Sequence, residues 1–119
     1  NGVPSSNVSI LDTGTVYTAT ARGKCNFGEV FTTDGRIKSL GLTVLEDDKG
    51  FFPAYNVAPV IDSKTLKEYP QLEGIYDQIS PKLTDAVLQE LNRQVDVEGR
   101  EPADVAFDWM VKEGFITKP

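Results

Sequence analysis

Residues 30–61 constrain this chain more than any other segment. VFTTDGRI (30–37) and VLEDDKGFFPAYNVAPVI (44–61) hold its densest mixture of aromatic and turn-forming residues, set among short apolar runs. Asp34-Gly35, Asp47-Asp48-Lys49-Gly50, Pro53 and Pro59 interrupt any long helix here. The apolar runs at 40–45 and 57–61 therefore read as strand candidates, with Phe51-Phe52-Pro53-Ala54-Tyr55-Asn56 as an aromatic loop between them. An antiparallel connection is the simplest arrangement.

The flanking sequence completes an α/β pattern. Residues 1–7, NGVPSSN, read as a flexible lead without the basic and apolar regions of a signal peptide, and residues 8–11 as a short strand. Asp12 or Thr13 can cap a helix running through Arg22 with Gly23 as its stop, and 27–33 reads as a second strand. Beyond Ile61 the pattern is helical. A short helix starts at Asp62 or Ser63 and runs through Glu68, and Pro70 opens a second, ending near Ile79. Thr84 caps a third helix, with Val87, Leu88, Leu91 and Val95 as its apolar stripe. Glu101-Pro102 opens a fourth, with Val105, Ala106, Trp109 and Met110 on one face and Gly114 at its end. Residues 96–102 form a charged, solvated linker. These helices read as the outer layer of an α/β lobe.

Composition removes several kinds of chemistry. The 119-residue chain has no histidine, which excludes Ser-His-Asp and Cys-His catalysis and histidine metal sites. Cys25 is its one cysteine, so it has no intrachain disulfide and no thiolate metal cluster, and the residue reads as a small buried or half-buried hydrophobe. A net charge of −6 gives no footprint for nucleic acid, and Arg36 and Lys38 read as an isolated, solvated basic pair. No apolar run reaches the roughly 18 residues a membrane span needs.

The remaining candidates are weak as enzymes. Glu46, Asp47 and Asp48 lack the spacing of a calcium loop and read as an acidic turn. Asp34 beside Thr32 and Thr33 has no proton acceptor of suitable strength in sequence reach. Among 18 acidic residues nothing selects a glycosidase pair, and the glycines form no phosphate-binding pattern, so no cofactor is expected. Phe51 and Phe52 are expected in the core. Tyr55, between Pro53 and Pro59, reads equally as a core-edge cap or as a rigidly held ring face, which is what a quaternary ammonium requires.

Three long motifs carry a family resemblance: GKCNFGEVFTTDGRI (23–37), VLEDDKGFFPAYNVAPVI (44–61) and LNRQVDVEGREPADVAFDWMVKEGFI (91–116). In order and approximate spacing they resemble the substrate-binding components of ABC importers for glycine betaine, choline and related osmoprotectants. The resemblance covers nearly all of the chain but only the C-terminal part of such proteins. It implies part of a type II periplasmic-binding fold, α/β in class, with hinge return and helical layer. Residues 1–34 would end the second lobe and lead into the hinge, and 35–119 would form the C-terminal part of the first lobe. It further implies a cage of aromatic rings around a trimethylammonium head, with Tyr55 and Phe31 as cage residues and Thr33 and Asp34, beside Thr32, at the hinge or cleft edge. Phe31 departs from the tyrosine of some members, keeping the ring but losing a hydroxyl.

The implied function is non-enzymatic capture of a quaternary ammonium solute outside the cytoplasm, delivered to an ABC permease. The chain alone would bind weakly, and its incomplete lobe would favour pairing of two copies. The alternative is a structural or interaction fragment without a ligand.

Overall fold

The computed structural model describes residues 4–53 and 56–118. Among the described residues six α-helices follow one another: α1 (Thr13–Ala21), α2 (Gly35–Ser39), α3 (Ser63–Glu68), α4 (Gln71–Ile79), α5 (Asp85–Asp96) and α6 (Pro102–Lys112), with 3-10 turns at Ser5–Asn7 and Ser80–Lys82. Their starts follow from local chemistry. The side chain of Asp12 accepts from Thr15 N at the head of α1, Asp34 from Arg36 N at α2, Asp62 from Lys64 N and Thr65 N at α3, and Thr84 from Val87 N at α5. Pro102 occupies the first position of α6, where its missing N–H costs nothing.

The expected α/β class is only partly borne out. The described residues form helices and no β-ladder, so the portion seen is all-helical. The segments expected as strands, 8–11, 27–33, 40–45 and 57–61, carry apolar side chains but find no ladder partner, and a strand without a partner is no sheet. Most of their side chains stay in water: Ile10 and Val60 are each 98% exposed. Residues 35–39, where a turn at Asp34-Gly35 and a solvated basic pair were expected, form α2 because Asp34 caps them. Phe51 and Phe52 are a second correction: both are exposed, meeting edge to face at 5.0 Å, with nothing from another layer to cover them.

The core is correspondingly small. Tyr17, Ala19, Ile37 and Val105 are its buried apolar residues. The accessible surface is 9462 Å², whereas a compact protein of this mass would expose roughly 6,400 Å². The radius of gyration, 18.1 Å, likewise exceeds the roughly 14 Å of a compact chain of this length.

Packing centres on α2 against α5 and α5 against α6. Gly35 allows the first of these: a Cβ there would lie 2.3 Å from the backbone nitrogen of Arg93 and 2.5 Å from its Cα. Lys38 of α2 pairs with Glu90 of α5, and Arg93 bonds Glu90 at 2.8 Å and Glu98 at 2.6 Å. At the far end Lys82 pairs with Glu113 at 2.8 Å and lies over the ring of Phe115, which also packs beside Trp109. No helix among the described residues is long and apolar enough to cross a membrane.

Candidate functional site

The sequence-predicted residues Phe31, Thr33 and Asp34 lie on one reversal of the chain between α1 and α2. Tyr55 lies outside the described residues. The reversal is tight: the N–H of Asp34 donates to the carbonyl of Phe31 at 3.1 Å. From α5, Gln89 Nε2 donates to the carbonyl of Thr32 at 2.6 Å and Asn92 Nδ2 to that of Thr33 at 2.8 Å. Three consecutive carbonyls, 31 to 33, are thus held by groups from two directions. This backbone presents the Phe31 ring half in solvent, at 52% exposure.

Asp34 does several structural tasks at once. Its Oδ1 accepts from the backbone N–H and Nε of Arg36, both at 2.9 Å, and its Oδ2 accepts from Nη2 at 2.6 Å. Both oxygens therefore bind the guanidinium in the forked geometry that suits arginine. The Arg36 bonds hold the Asp34 carboxyl below its usual range despite partial burial. A carboxylate so occupied frames the reversal; it is not a free base.

Tyr17 is the residue that sequence reasoning passed over. It is the largest fully buried side chain, and its hydroxyl accepts from the N–H of Phe31 at 3.1 Å. The Arg36 guanidinium, gripped by the Asp34 carboxylate, stacks 4.3 Å from the centre of the Tyr17 ring. Burial pushes the phenol further up, so it remains protonated at neutral pH. Arg36 is thus part of this constellation, a correction to its reading as a solvated cation; Lys38 is also paired, with Glu90. A polar residue on a helix whose other buried member is Ala19 was the available signal, but Asp34 lies too far along the sequence for spacing to connect them.

Beside Phe31, residues 7–11, 24–31 and α1 enclose an open groove of about 1050 Å³. Val8, Ile10, Leu11, Val16 and Phe27 make its walls largely apolar. Its width and openness do not make a shaped pocket for a small cation.

Residues 1–112 match the family described as "Substrate binding domain of ABC-type glycine betaine transport system". The chain belongs to this family. A curated member, the glycine-betaine-binding protein of Pseudomonas aeruginosa, is 41% identical over 100 residues, which are 84% of this chain and 32% of that protein. The ergothioneine transport permease/ergothioneine binding protein EgtU of Helicobacter pylori is 40% identical over 104 residues, 87% of this chain and 19% of that protein. Among solved structures, that of a glycine betaine/carnitine/choline ABC transporter superposes with a TM-score of 0.80 at 35% identity, covering 87% of this chain and 38% of its counterpart. The chain therefore spans about a third or less of the curated relatives it matches. Its helices correspond to the helical part of a type II periplasmic-binding fold. Membership in a family of substrate-binding domains sets aside the enzyme readings weighed from the sequence.

Proposed function

We propose that this chain supplies part of the binding site for a quaternary ammonium solute, such as glycine betaine, carnitine or choline, in an extracytoplasmic component that hands its ligand to an ABC permease. The observation that carries the reading is the Phe31 ring, half in solvent on a backbone tied at every turn, in a chain 41% identical to a glycine-betaine-binding protein. An ammonium without N–H groups cannot be held by ordinary acceptors; ring faces attract its diffuse charge. Phe31 and Tyr55 are the ring donors in this reading, Thr33 and Asp34 the framework at the lobe boundary. No bond is made or broken.

The finer fold assignment belongs to the same proposal. Residues 1–34 and 35–119 are parts of two lobes meeting at the Phe31–Asp34 reversal. Outside the turns at 32–33 and 40–41, the expected strands (8–11, 27–33, 40–45 and 57–61) take ladder partners from the part of the family fold that this chain does not span. The excess exposed surface and the apolar groove beside α1 support this. If a second copy supplies those partners instead, sedimentation will give a mass that rises with concentration.

The direct test is calorimetric titration of the chain with glycine betaine and with choline, beside Phe31→Ala. Saturable binding that weakens roughly tenfold in the variant is expected, the scale of one desolvated cation–π contact. Equal binding by the variant refutes the reading, and no saturable binding by either shows that this part of the site does not hold the ligand by itself and favours a structural fragment.

A further inference from the structure

We propose that Tyr17 is a positioning residue for the ligand-facing Phe31 ring, its buried hydroxyl holding the Phe31 N–H while Asp34 and Arg36 hold the tyrosine. This inference rests on the reading of Phe31 as a ligand contact and adds the device that sets that ring's place. The geometry is closed on all sides. Tyr17 O–H accepts from Phe31 N at 3.1 Å, and the Phe31 carbonyl accepts from Asp34 N at 3.1 Å, so both backbone polar groups of Phe31 are engaged. Asp34 in turn grips Arg36 through both oxygens, and Arg36 covers the Tyr17 ring at 4.3 Å.

A phenylalanine at position 17 would fill the same space in the core, so the hydroxyl has no packing purpose. What it does is satisfy one donor, fourteen residues away in sequence, at the residue whose side chain is turned outward. An aromatic ring left half in water gains nothing for stability; held rigidly, it is pre-organised, and a ligand then loses less free energy to ordering on binding. The path also joins α1 to the α2–α5 unit: Tyr17 stands on α1, Asp34 caps α2, and the reversal between them is bonded by Gln89 and Asn92 of α5. A shift of α1 against α2 would therefore move the Phe31 backbone first.

The test is Tyr17→Phe in the isotopically labelled chain, with amide exchange followed by NMR and glycine betaine affinity measured in parallel. Exchange of the Phe31 amide should accelerate roughly tenfold or more, as expected when one hydrogen bond is lost, while the Val87 amide, capped by Thr84 on α5, keeps its rate. Affinity should fall by roughly three- to tenfold, and in a Phe31→Ala background the same substitution should change it by less than about twofold, because the effect passes through that ring. An unchanged Phe31 amide overturns the proposal, as does unchanged affinity in Tyr17→Phe when Phe31→Ala weakens binding. If Phe31→Ala binds like the parent, the ligand-contact reading falls, and the positioning role with it. Should Tyr17→Phe fail to fold, incorporation of phenyllactate in place of Phe31 deletes the same N–H with the core untouched. An unaltered affinity there overturns the proposal equally.

Discussion

Gly35→Ala offers the sharpest check on how the helices are held. The added Cβ would stand 2.3 Å from Arg93 N, 2.5 Å from Arg93 Cα and 2.8 Å from the Asn92 carbonyl carbon. These are backbone atoms of α5, which cannot swing aside as a flexible side chain would, so α2 must move as a unit. Overpacking of this kind costs about 1–3 kcal/mol. Displacing α2 also strains the bonds from Gln89 to Thr32 and Asn92 to Thr33, each worth about 0.5–1.5 kcal/mol. The summed loss is about 2–6 kcal/mol. Gly74→Ala is the control, since a Cβ there meets nothing within 4 Å and lies inside α4; it should stabilise the chain by about 1 kcal/mol. Urea unfolding followed by helical circular dichroism compares the two. With a slope of about 2 kcal/mol per molar, within the usual 1–3, the Gly35→Ala midpoint should fall by roughly 1–3 M while that of Gly74→Ala rises. Midpoints moving the same way in both variants would refute the close approach of α2 to α5.

Glu90 makes the pH dependence readable. Its bonds to Arg93 first and Lys38 second lower it from 4.5 to about 2. A depressed carboxyl contributes stability that is fully present above pH 4.5 and is lost as pH falls through the folded value, so the gap between the parent and Glu90→Gln should close between pH 4.5 and about 2. The ions are partly exposed, so added salt should narrow the same gap at neutral pH; a gap indifferent to both would show that the pair contributes nothing. Thr84→Ala removes the acceptor for the Val87 N–H at the head of α5, costing about 0.5–2 kcal/mol. Thr84→Asn should restore most of it, and equal melting curves for all three chains would deny the cap. Finally, Arg36→Lys should lose the forked grip on Asp34 and melt earlier than the parent, because an ammonium cannot engage both oxygens as a planar guanidinium does; an unchanged melting temperature would count against the fork.

Much of the helical architecture was legible beforehand. Thr13–Ala21, Ser63–Glu68, Gln71–Ile79, Asp85–Asp96 and Pro102–Lys112 lie within a residue or two of their expected bounds, because caps, prolines and terminal glycines act over a single turn. Short α2 escaped notice: a five-residue helix carries too little periodicity, and its Asp-Gly start looks like a turn. The site was half legible. Its aromatic and hinge residues came from motif resemblance, whereas Tyr17 and Arg36 entered only with the three-dimensional arrangement.

The sequence by itself determined where helices begin and end, which segments are apolar but not helical, and the family to which the motifs point. Those properties depend on near neighbours in the chain. Tertiary structure alone decided whether the apolar segments become sheet, because a strand exists only through a partner's N–H and C=O groups. It also decided that Tyr17, Phe31, Asp34 and Arg36 share one network, since that depends on the chain reversing at 31–34 and on α5 holding the reversal in place.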